Sequence, residues 1–168
     1  MSGRPAIVSS AHLADGAAPA LSELEFSLTL AATAYQRWIG RCAAAAGLSL
    51  SPLEVLILHT VRHRDRFKRL ADIALVLDID DIHLVTYALR KLEKAGLVST
   101  RRDGKEKLVG ATASGRAFCG RYREVREQIL SASVAEAEPN GATLSDAAAL
   151  LRRLSGQYNQ AARAAATL

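Results

Sequence analysis

The chain has 168 residues, of which 49% are hydrophobic, 23% charged and only 5% aromatic, and its formal net charge is +5. This length suits one cored domain with helical extensions and argues against two independent domains. An alanine-rich, aromatic-poor composition favours packed helices over a β-sandwich. No apolar run reaches the roughly 18 residues of a membrane span, and the N-terminus lacks the pattern of a signal peptide. We therefore expect a mostly α, cytoplasmic protein without a membrane partner.

The positive charge is concentrated in the middle of the chain. Between Arg62 and Lys107 there are twelve Lys or Arg and eight Asp or Glu, which gives +4 of the total +5. This distribution permits a polyanionic partner such as nucleic acid, with an ordinary solvated surface as the alternative.

The first part of the chain reads as an arm and a long helix. Residues 1–20 are small, polar and broken by prolines and a glycine, which is typical of a flexible arm. Ser22 with Glu25 predicts a capping box, and the helix should run to about Ala46. Its apolar positions form a narrow seam that could contact a second subunit or fold onto its own core: Leu24, Leu28, Ala31, Tyr35, Trp38 and Cys42.

A second capping box, from Ser51 to Glu54, opens the next helix, with Pro52 at its first position. Its predicted buried face is Leu53, Leu56, Ile57, Thr60 and Val61. The segment Arg62–Arg69 follows and is the most basic stretch in the chain. Its Arg66 and Lys68 could touch phosphates. The alternative is a solvated loop with Phe67 turned inward.

The stretch Arg69–Gly115 predicts a helix, a turn and a second helix, followed by a β-hairpin. On the second helix one face is apolar and should pack: Ile82, Val85, Ala88, Leu89 and Leu92. The other face could read a partner: His83, Thr86, Tyr87, Arg90 and Lys94. Asp80 or Asp81 should cap this helix, and Gly96 should end it.

The hairpin is predicted from strand-like residues on both sides of an Asp-Gly pair. Leu97–Arg102 and Lys107–Thr112 should form two strands joined at Asp103-Gly104. The charged turn would project as a wing. The predicted fold is therefore a winged helix-turn-helix with a small β-hairpin wing.

Two more helices should follow the wing. The first opens near Thr112, carries Phe118, Tyr122, Val125 and Ile129 on one stripe, and runs to about Ala137. After a break at residues 139–141, Thr143 with Asp146 should cap a last helix, whose apolar stripe is Leu144, Ala147, Leu151, Leu154 and Tyr158. Together with the first helix these form a predicted dimerisation layer, or else an intrachain bundle. The resulting division is an arm at 1–20, a dimerisation helix at 21–50, the winged helix at 51–112 and C-terminal dimerisation helices at 113–168.

Three segments resemble the MarR family of bacterial transcription regulators. Leu92-Glu93-Lys94-Ala95-Gly96-Leu97-Val98 looks like the family's Leu-Glu-x-x-Gly-Leu-Val, and residues 111–116 resemble its Leu-Thr-x-x-Gly-Arg segment. Leu70-Ala71 is similar to a Leu-Ala pair in the family's preceding helix. The resemblance implies a homodimeric regulator that binds double-stranded DNA at a pseudo-palindromic site.

The resemblance also implies contact residues. His83, Thr86, Tyr87 and Arg90 would face base edges and phosphates, and the wing would contribute Arg101, Arg102, Lys105 and Lys107. Arg90 is the best candidate for reading guanine, because its planar fork can donate two hydrogen bonds to one base. Family members often hold a small aromatic ligand. Here the candidate lining is Tyr35, Trp38 and His59, which are otherwise core residues.

The sequence leaves one other function open and argues against enzyme activity. Asp78, Asp80 and Asp81 cluster at the start of the recognition helix and keep a second hypothesis open, namely a winged helix that binds another protein. No metal-ligand spacing, phosphate loop or nucleophile elbow is present, so we expect no enzyme activity, cofactor or metal. Cys42 and Cys119 should be buried, reduced thiols.

Overall fold

A computed structural model describes residues 18–137 and 141–168. Most of the predicted arm, residues 1–17, and the predicted break at Pro139 and Asn140 lie outside the described residues. In chain order the elements are α1 (Pro19–Ala45), α2 (Pro52–Arg62), β1 (Lys68–Arg69), α3 (Leu70–Val76), α4 (Ile82–Lys94), β2 (Val98–Asp103), β3 (Glu106–Ala111), α5 (Ala113–Arg126), a π-helical segment (Glu127–Ser131), α6 (Ala132–Ala137) and α7 (Gly141–Ala165).

The described chain forms two compact units, the first ending at Tyr122 and the second running from Arg123 to Leu168. In the first unit α4 packs on α2 and α3. The second unit holds the helical end of the chain, and no residue of α7 is buried.

Two of the predicted N-terminal helix caps are confirmed and two are wrong. The Ser51–Glu54 box is present: the Ser51 N–H donates to Glu54 Oε2 (2.9 Å), and the Glu54 N–H donates to Ser51 Oγ (3.3 Å). Asp81 caps α4 by accepting from the His83 N–H at 2.8 Å. By contrast, α1 starts at Pro19, before Ser22, because proline suits the first helical position. The last helix starts at Gly141, so Thr143 lies inside its first turn.

The small sheet has three strands rather than the predicted two, in the order β1-β3-β2 with antiparallel pairing. The additional strand β1 pairs Lys68 with Val109. The hairpin turn is also one residue later than predicted. Asp103 pairs with Glu106, so the turn residues are Gly104 and Lys105, and Gly104 has a φ of 60°.

The core of the first unit lies between α2, α4, the sheet and the first part of α5, and α1 and α3 also contribute buried residues to it. Four of the predicted positions on α4 are buried: Val85, Ala88, Leu89 and Leu92. Ile82 is 39% exposed, because it is the first residue of α4 and lies about one turn before the first buried residue. On α2 the buried apolar residues are Val55, Ile57, Leu58 and Val61. Leu53, Leu56 and Thr60 are only half-buried, so the predicted buried face was partly wrong.

The two motifs on either side of the wing contact each other. Thr112 Oγ1 donates to the Gly96 carbonyl (2.6 Å), and the Thr112 N–H donates to the Leu97 carbonyl (3.1 Å). A Cβ at Gly115 would collide with that same Leu97 carbonyl, so only glycine allows α5 to approach this closely. These residues therefore join the end of α4 to the start of α5.

Candidate nucleic-acid interface

The outer face of α4 presents most of the side chains predicted for it. His83, Arg90 and Lys94 are exposed, and Tyr87 is 61% exposed. Thr86 is half-buried, and its hydroxyl donates to the Ile82 carbonyl at 3.0 Å. Its methyl group is therefore the part of Thr86 most suited to meet a partner. Arg90 and Lys94 form no ion pair within the described residues.

The start of α4 is acidic and partly apolar. The Asp81 carboxylate is used as the helix cap, Asp78 adopts a positive φ of 54°, and Asp80 is exposed. On the preceding helix Leu75 is 80% exposed and Val76 69% exposed. This end of the surface therefore differs in chemistry from the basic end at Arg90 and Lys94.

The four predicted wing cations have different environments. Arg102 is exposed on β2, and Lys105 lies in the turn. The Arg101 guanidinium lies 4.1 Å from the centroid of the Phe67 ring. Lys107 Nζ is 3.9 Å from Glu93 Oε2, while Glu93 Oε1 accepts a hydrogen bond from Thr100 Oγ1 at 2.6 Å. Glu93 thus links both wing strands to the end of α4.

The basic segment is only partly available to phosphates. Arg66 is exposed. Lys68 Nζ donates to the carbonyls of Val61 (2.8 Å), Arg66 (3.2 Å) and His63. Burial, helped by nearby Arg66, lowers the pKa of Lys68. Its ammonium already bonds to backbone carbonyls, so Lys68 is less available to phosphates than the exposed Arg66.

Two further cations of this region are paired. Arg69 Nε lies 2.8 Å from Glu106 Oε2, and Arg116 Nη1 lies 3.1 Å from Asp65 Oδ1. Phe67 is 37% exposed, and its ring covers Gly110, so it is partly turned inward. The segment therefore contributes to the structure of the sheet as well as to the positive charge of the surface.

The roles of two residues on or near α4 were not predicted from the sequence. Glu54 was recognised only as a capping residue, but it is also 3.3 Å from Lys91 Nζ. Lys91 in turn lies 4.9 Å from the centroid of the Tyr87 ring. The spacing of four residues between Tyr87 and Lys91 was a readable signal for the second contact.

Among the described residues, two of the three predicted ligand residues line different pockets. His59 lines a cavity of about 910 Å³ between α2, β1 and α3, whereas Tyr35 lines a separate groove of about 390 Å³ between α1 and α2. Trp38 is half-buried and lines neither of them. His59 Nε2 is buried without a hydrogen-bond partner among the described residues. Burial, with a smaller effect of Arg62, lowers the pKa of His59.

Both cysteines are buried thiols outside any disulfide, as predicted, and burial raises the pKa of Cys119. Within residues 18–137 and 141–168 no cluster of three His, Cys, Asp or Glu could hold a metal ion. None of the helices described here is both long and apolar enough to cross a membrane.

Comparison with known proteins assigns the middle of the chain to a defined structural class. Residues 50–115 match the family model described as a winged helix DNA-binding domain. This segment holds α2, the helix-turn-helix, the wing and the first residues of α5. No curated protein matches the chain by sequence.

Solved structures identify the particular form of the fold. A mutant MarR from E. coli complexed with operator DNA is similar with a TM-score of 0.67 at 16% identity, covering 83% of this chain and 99% of that chain. The transcriptional regulator BldR from Sulfolobus solfataricus has a TM-score of 0.63 at 23% identity, covering 79% and 97%. The predicted winged-helix fold of the MarR type is therefore confirmed.

A third similar structure contains a small molecule. CouR from Rhodococcus jostii RHA1, bound to p-coumaroyl-CoA, has a TM-score of 0.53 at 17% identity, covering 64% of this chain and 78% of that chain. Among structures of this fold, therefore, one holds operator DNA and another holds an aromatic thioester.

Proposed function

We propose that this chain is a DNA-binding transcription regulator, with α4 as the recognition helix and β2-β3 as the wing. The observation that carries the proposal is the pair Arg90 and Lys94, which are exposed on the outer face of α4 and form no ion pair with any described residue. The opposite face of the same helix is buried. A helix held in this way can enter a major groove, where an arginine can donate two hydrogen bonds to one guanine.

Exposure supports most of the remaining proposed contacts. His83, Thr86 and Tyr87 complete the face of α4, and Arg101, Arg102, Lys105 and Lys107 belong to the wing. Arg66 lies beside this surface as a phosphate contact. Lys107 is the weakest of these, because it shares its charge with Glu93.

The first test selects bound DNA from a randomised library and measures affinity for the enriched site at several salt concentrations. Affinity should fall steeply with salt, and Arg90→Ala should reduce discrimination at one base pair by about 1–3 kcal/mol. Arg163→Ala, a cation near the end of α7, is the control and should leave base preference unchanged. If no motif is enriched even at low salt, the proposal fails.

We further propose that the regulator is a homodimer on a pseudo-palindromic site, with α1 and the helices of residues 113–168 as the dimerisation layer. Large apolar side chains are exposed on α1 at Leu30 (50%) and on α7 at Leu144 (46%) and Leu151 (41%). Burying such residues is the main driving force of subunit association. Light scattering should give twice the mass of the 17.9 kDa chain. A monomer at micromolar concentration would contradict this arrangement.

A small aromatic ligand is best accommodated beside His59. The cavity there is lined by the apolar side chains Leu56, Phe67 and Val76 and by the cations Arg64, Arg66 and Arg69. Such a lining suits an anionic aromatic compound. Calorimetric titration with benzoate and phenylpropenoate compounds should show binding that His59→Leu weakens. Binding that is unaffected by His59→Leu but lost in Tyr35→Ala would favour the groove between α1 and α2 instead.

The second candidate function is a protein-interaction module. It is favoured by the exposed Leu75 and Val76 beside the acidic start of α4. This hypothesis predicts no retention on DNA at any salt concentration. It also predicts capture of a defined protein partner that Leu75→Ser abolishes, whereas the DNA-binding proposal predicts that Leu75→Ser leaves the mobility shift intact.

A further inference from the structure

A continuous set of contacts runs from the start of α2 to the outer face of α4. It begins at Glu54, which is only 6% exposed. Its Oε2 accepts from the Ser51 N–H in the capping box, so the carboxylate is fixed in position. Its Oε1 faces α4 and lies 3.3 Å from Lys91 Nζ. A buried carboxylate needs such a partner, because an unpaired charge away from water is costly.

Lys91 connects this carboxylate to Tyr87. The two residues are one helical turn apart, and the ammonium lies 4.9 Å from the centroid of the Tyr87 ring. This is within the range of a cation–π interaction. The Glu54 contact raises the pKa of Lys91, so its charge is retained.

Tyr87 gains most from this arrangement. Its ring is 61% exposed, and an exposed aromatic side chain would ordinarily sample several rotamers. The ammonium beside it is itself anchored by Glu54, which restricts the ring from the buried side of the molecule. A side chain ordered before binding loses less entropy when it meets a base pair.

We propose that Glu54 and Lys91 are positioning residues for sequence recognition: Glu54 anchors Lys91, and Lys91 holds the Tyr87 ring for contact with one base pair of the DNA site. This inference rests on the proposed DNA-binding function. Lys91 then contributes to base preference, although its position among the cations of α4 would suggest a phosphate contact.

The test compares Lys91→Met with a matched control, Lys94→Met, on the selected site and on a scrambled site over a range of salt. Lys94 has no ion pair among the described residues, so Lys94→Met should weaken both complexes equally and lower the logarithmic salt slope by about 1. Lys91→Met should leave the slope unchanged and reduce preference for the selected site by about 3- to 10-fold.

Two further variants separate positioning from a general structural effect. Lys91→Arg should restore preference, because a guanidinium can pair with Glu54 and stack on Tyr87. Glu54→Gln keeps an acceptor for the Ser51 N–H but removes the charge, so it should lose preference while remaining folded in urea unfolding. The inference is overturned if Lys91→Met lowers the salt slope as Lys94→Met does, or if preference is unchanged.

A measurement without DNA makes the two proposals separable. Carbon-13 NMR relaxation of the Tyr87 ring should show restricted motion in the wild type and faster motion in Lys91→Met and Glu54→Gln. Equal ring motion in the wild type and Lys91→Met overturns the positioning inference even if the protein binds DNA. If Lys91→Met frees the ring but the wild type binds no DNA, the proposed function fails, and the role in sequence recognition fails with it.

Discussion

The two faces of α4 are held by different kinds of interaction. On the inner face Val85 and Leu92 are fully buried and Leu89 is 4% exposed, so close packing alone fixes them. On the outer face the side chains are exposed, and their availability depends on individual ion pairs. Lys91 is paired with Glu54, whereas Arg90 and Lys94 remain unpaired among the described residues. Stability and partner recognition can therefore be altered separately on the same helix.

A pair of leucine truncations on α4 tests this difference between the two faces most directly. Leu92→Ala should lower the free energy of unfolding by about 2–5 kcal/mol, because it leaves a cavity in the core. Leu84→Ala removes the same atoms from a side chain that is 50% exposed and should change it by no more than about 0.5 kcal/mol. Urea unfolding measures both. Equal effects would mean that α4 has no distinct inner face.

The close approach of the start of α5 to the Leu97 carbonyl can be tested with two glycines of α5. Gly115→Ala should destabilise by about 1–3 kcal/mol, because its Cβ would meet the Leu97 carbonyl and Leu58 Cδ1. No described residue lies within 4 Å of a Cβ added at Gly120, so Gly120→Ala should stabilise the helix by about 0.5–1 kcal/mol. Thermal unfolding should move in opposite directions for the two variants, and a shift in the same direction would contradict the close approach.

The acidic start of the outer face allows a smaller test. Asp80→Asn removes an exposed negative charge near the proposed phosphate contacts and should strengthen DNA binding by about 0.2–1 kcal/mol without changing stability. Asp146→Asn on α7 is the control for net charge. If both variants strengthen binding equally, the position of Asp80 has no particular effect on the interface.

The smallest expected effect concerns His59, which is half-buried and has its Nε2 atom shielded from solvent. Its folded-state pKa lies below 6.5, so the unfolded state takes up the proton first as pH falls. The contribution of His59 to stability is therefore fully present above pH 6.5 and is lost progressively as the pH falls from 6.5 to the folded-state pKa. Denaturation at about pH 7.5 and about pH 5.5 should show a larger loss for the wild type than for His59→Asn, which cannot titrate. Parallel losses would show that His59 is not responsible.

Short-range signals were the most dependable guide to the fold, although the same pattern could mislead. Ser51 with Glu54, Asp81 and Gly96 mark helix ends as predicted, because capping depends on neighbouring residues. The equivalent pattern at Ser22 and Glu25 lies inside α1, because that helix already begins at Pro19. The hydrophobic period of α4 predicted its buried positions from Val85 onward.

Contacts between distant residues could not be read in this way. β1 has only two residues and exists because Lys68 and Arg69 pair with β3, about forty positions later. The proposed site shows the same limit. Helical spacing indicated which side chains of α4 face outward, but not that Lys91 is paired with Glu54 or that Lys68 is bonded to backbone carbonyls. Long cationic side chains reach whichever partner the tertiary fold supplies.

The contact between Leu97 and Thr112 makes the tip of the wing an exchangeable segment. These residues flank the hairpin, and their backbones are bonded to each other at its base (3.1 Å). The body of the protein therefore fixes where the hairpin leaves and returns, and β1 and Glu93 hold its strands further out. Lengthening the hairpin at Gly104-Lys105, beyond these contacts, should carry only a small loop-closure cost. Wing tips from other proteins of this fold could then be grafted here to change the proposed flanking DNA contacts while the side chains of α4 stay the same.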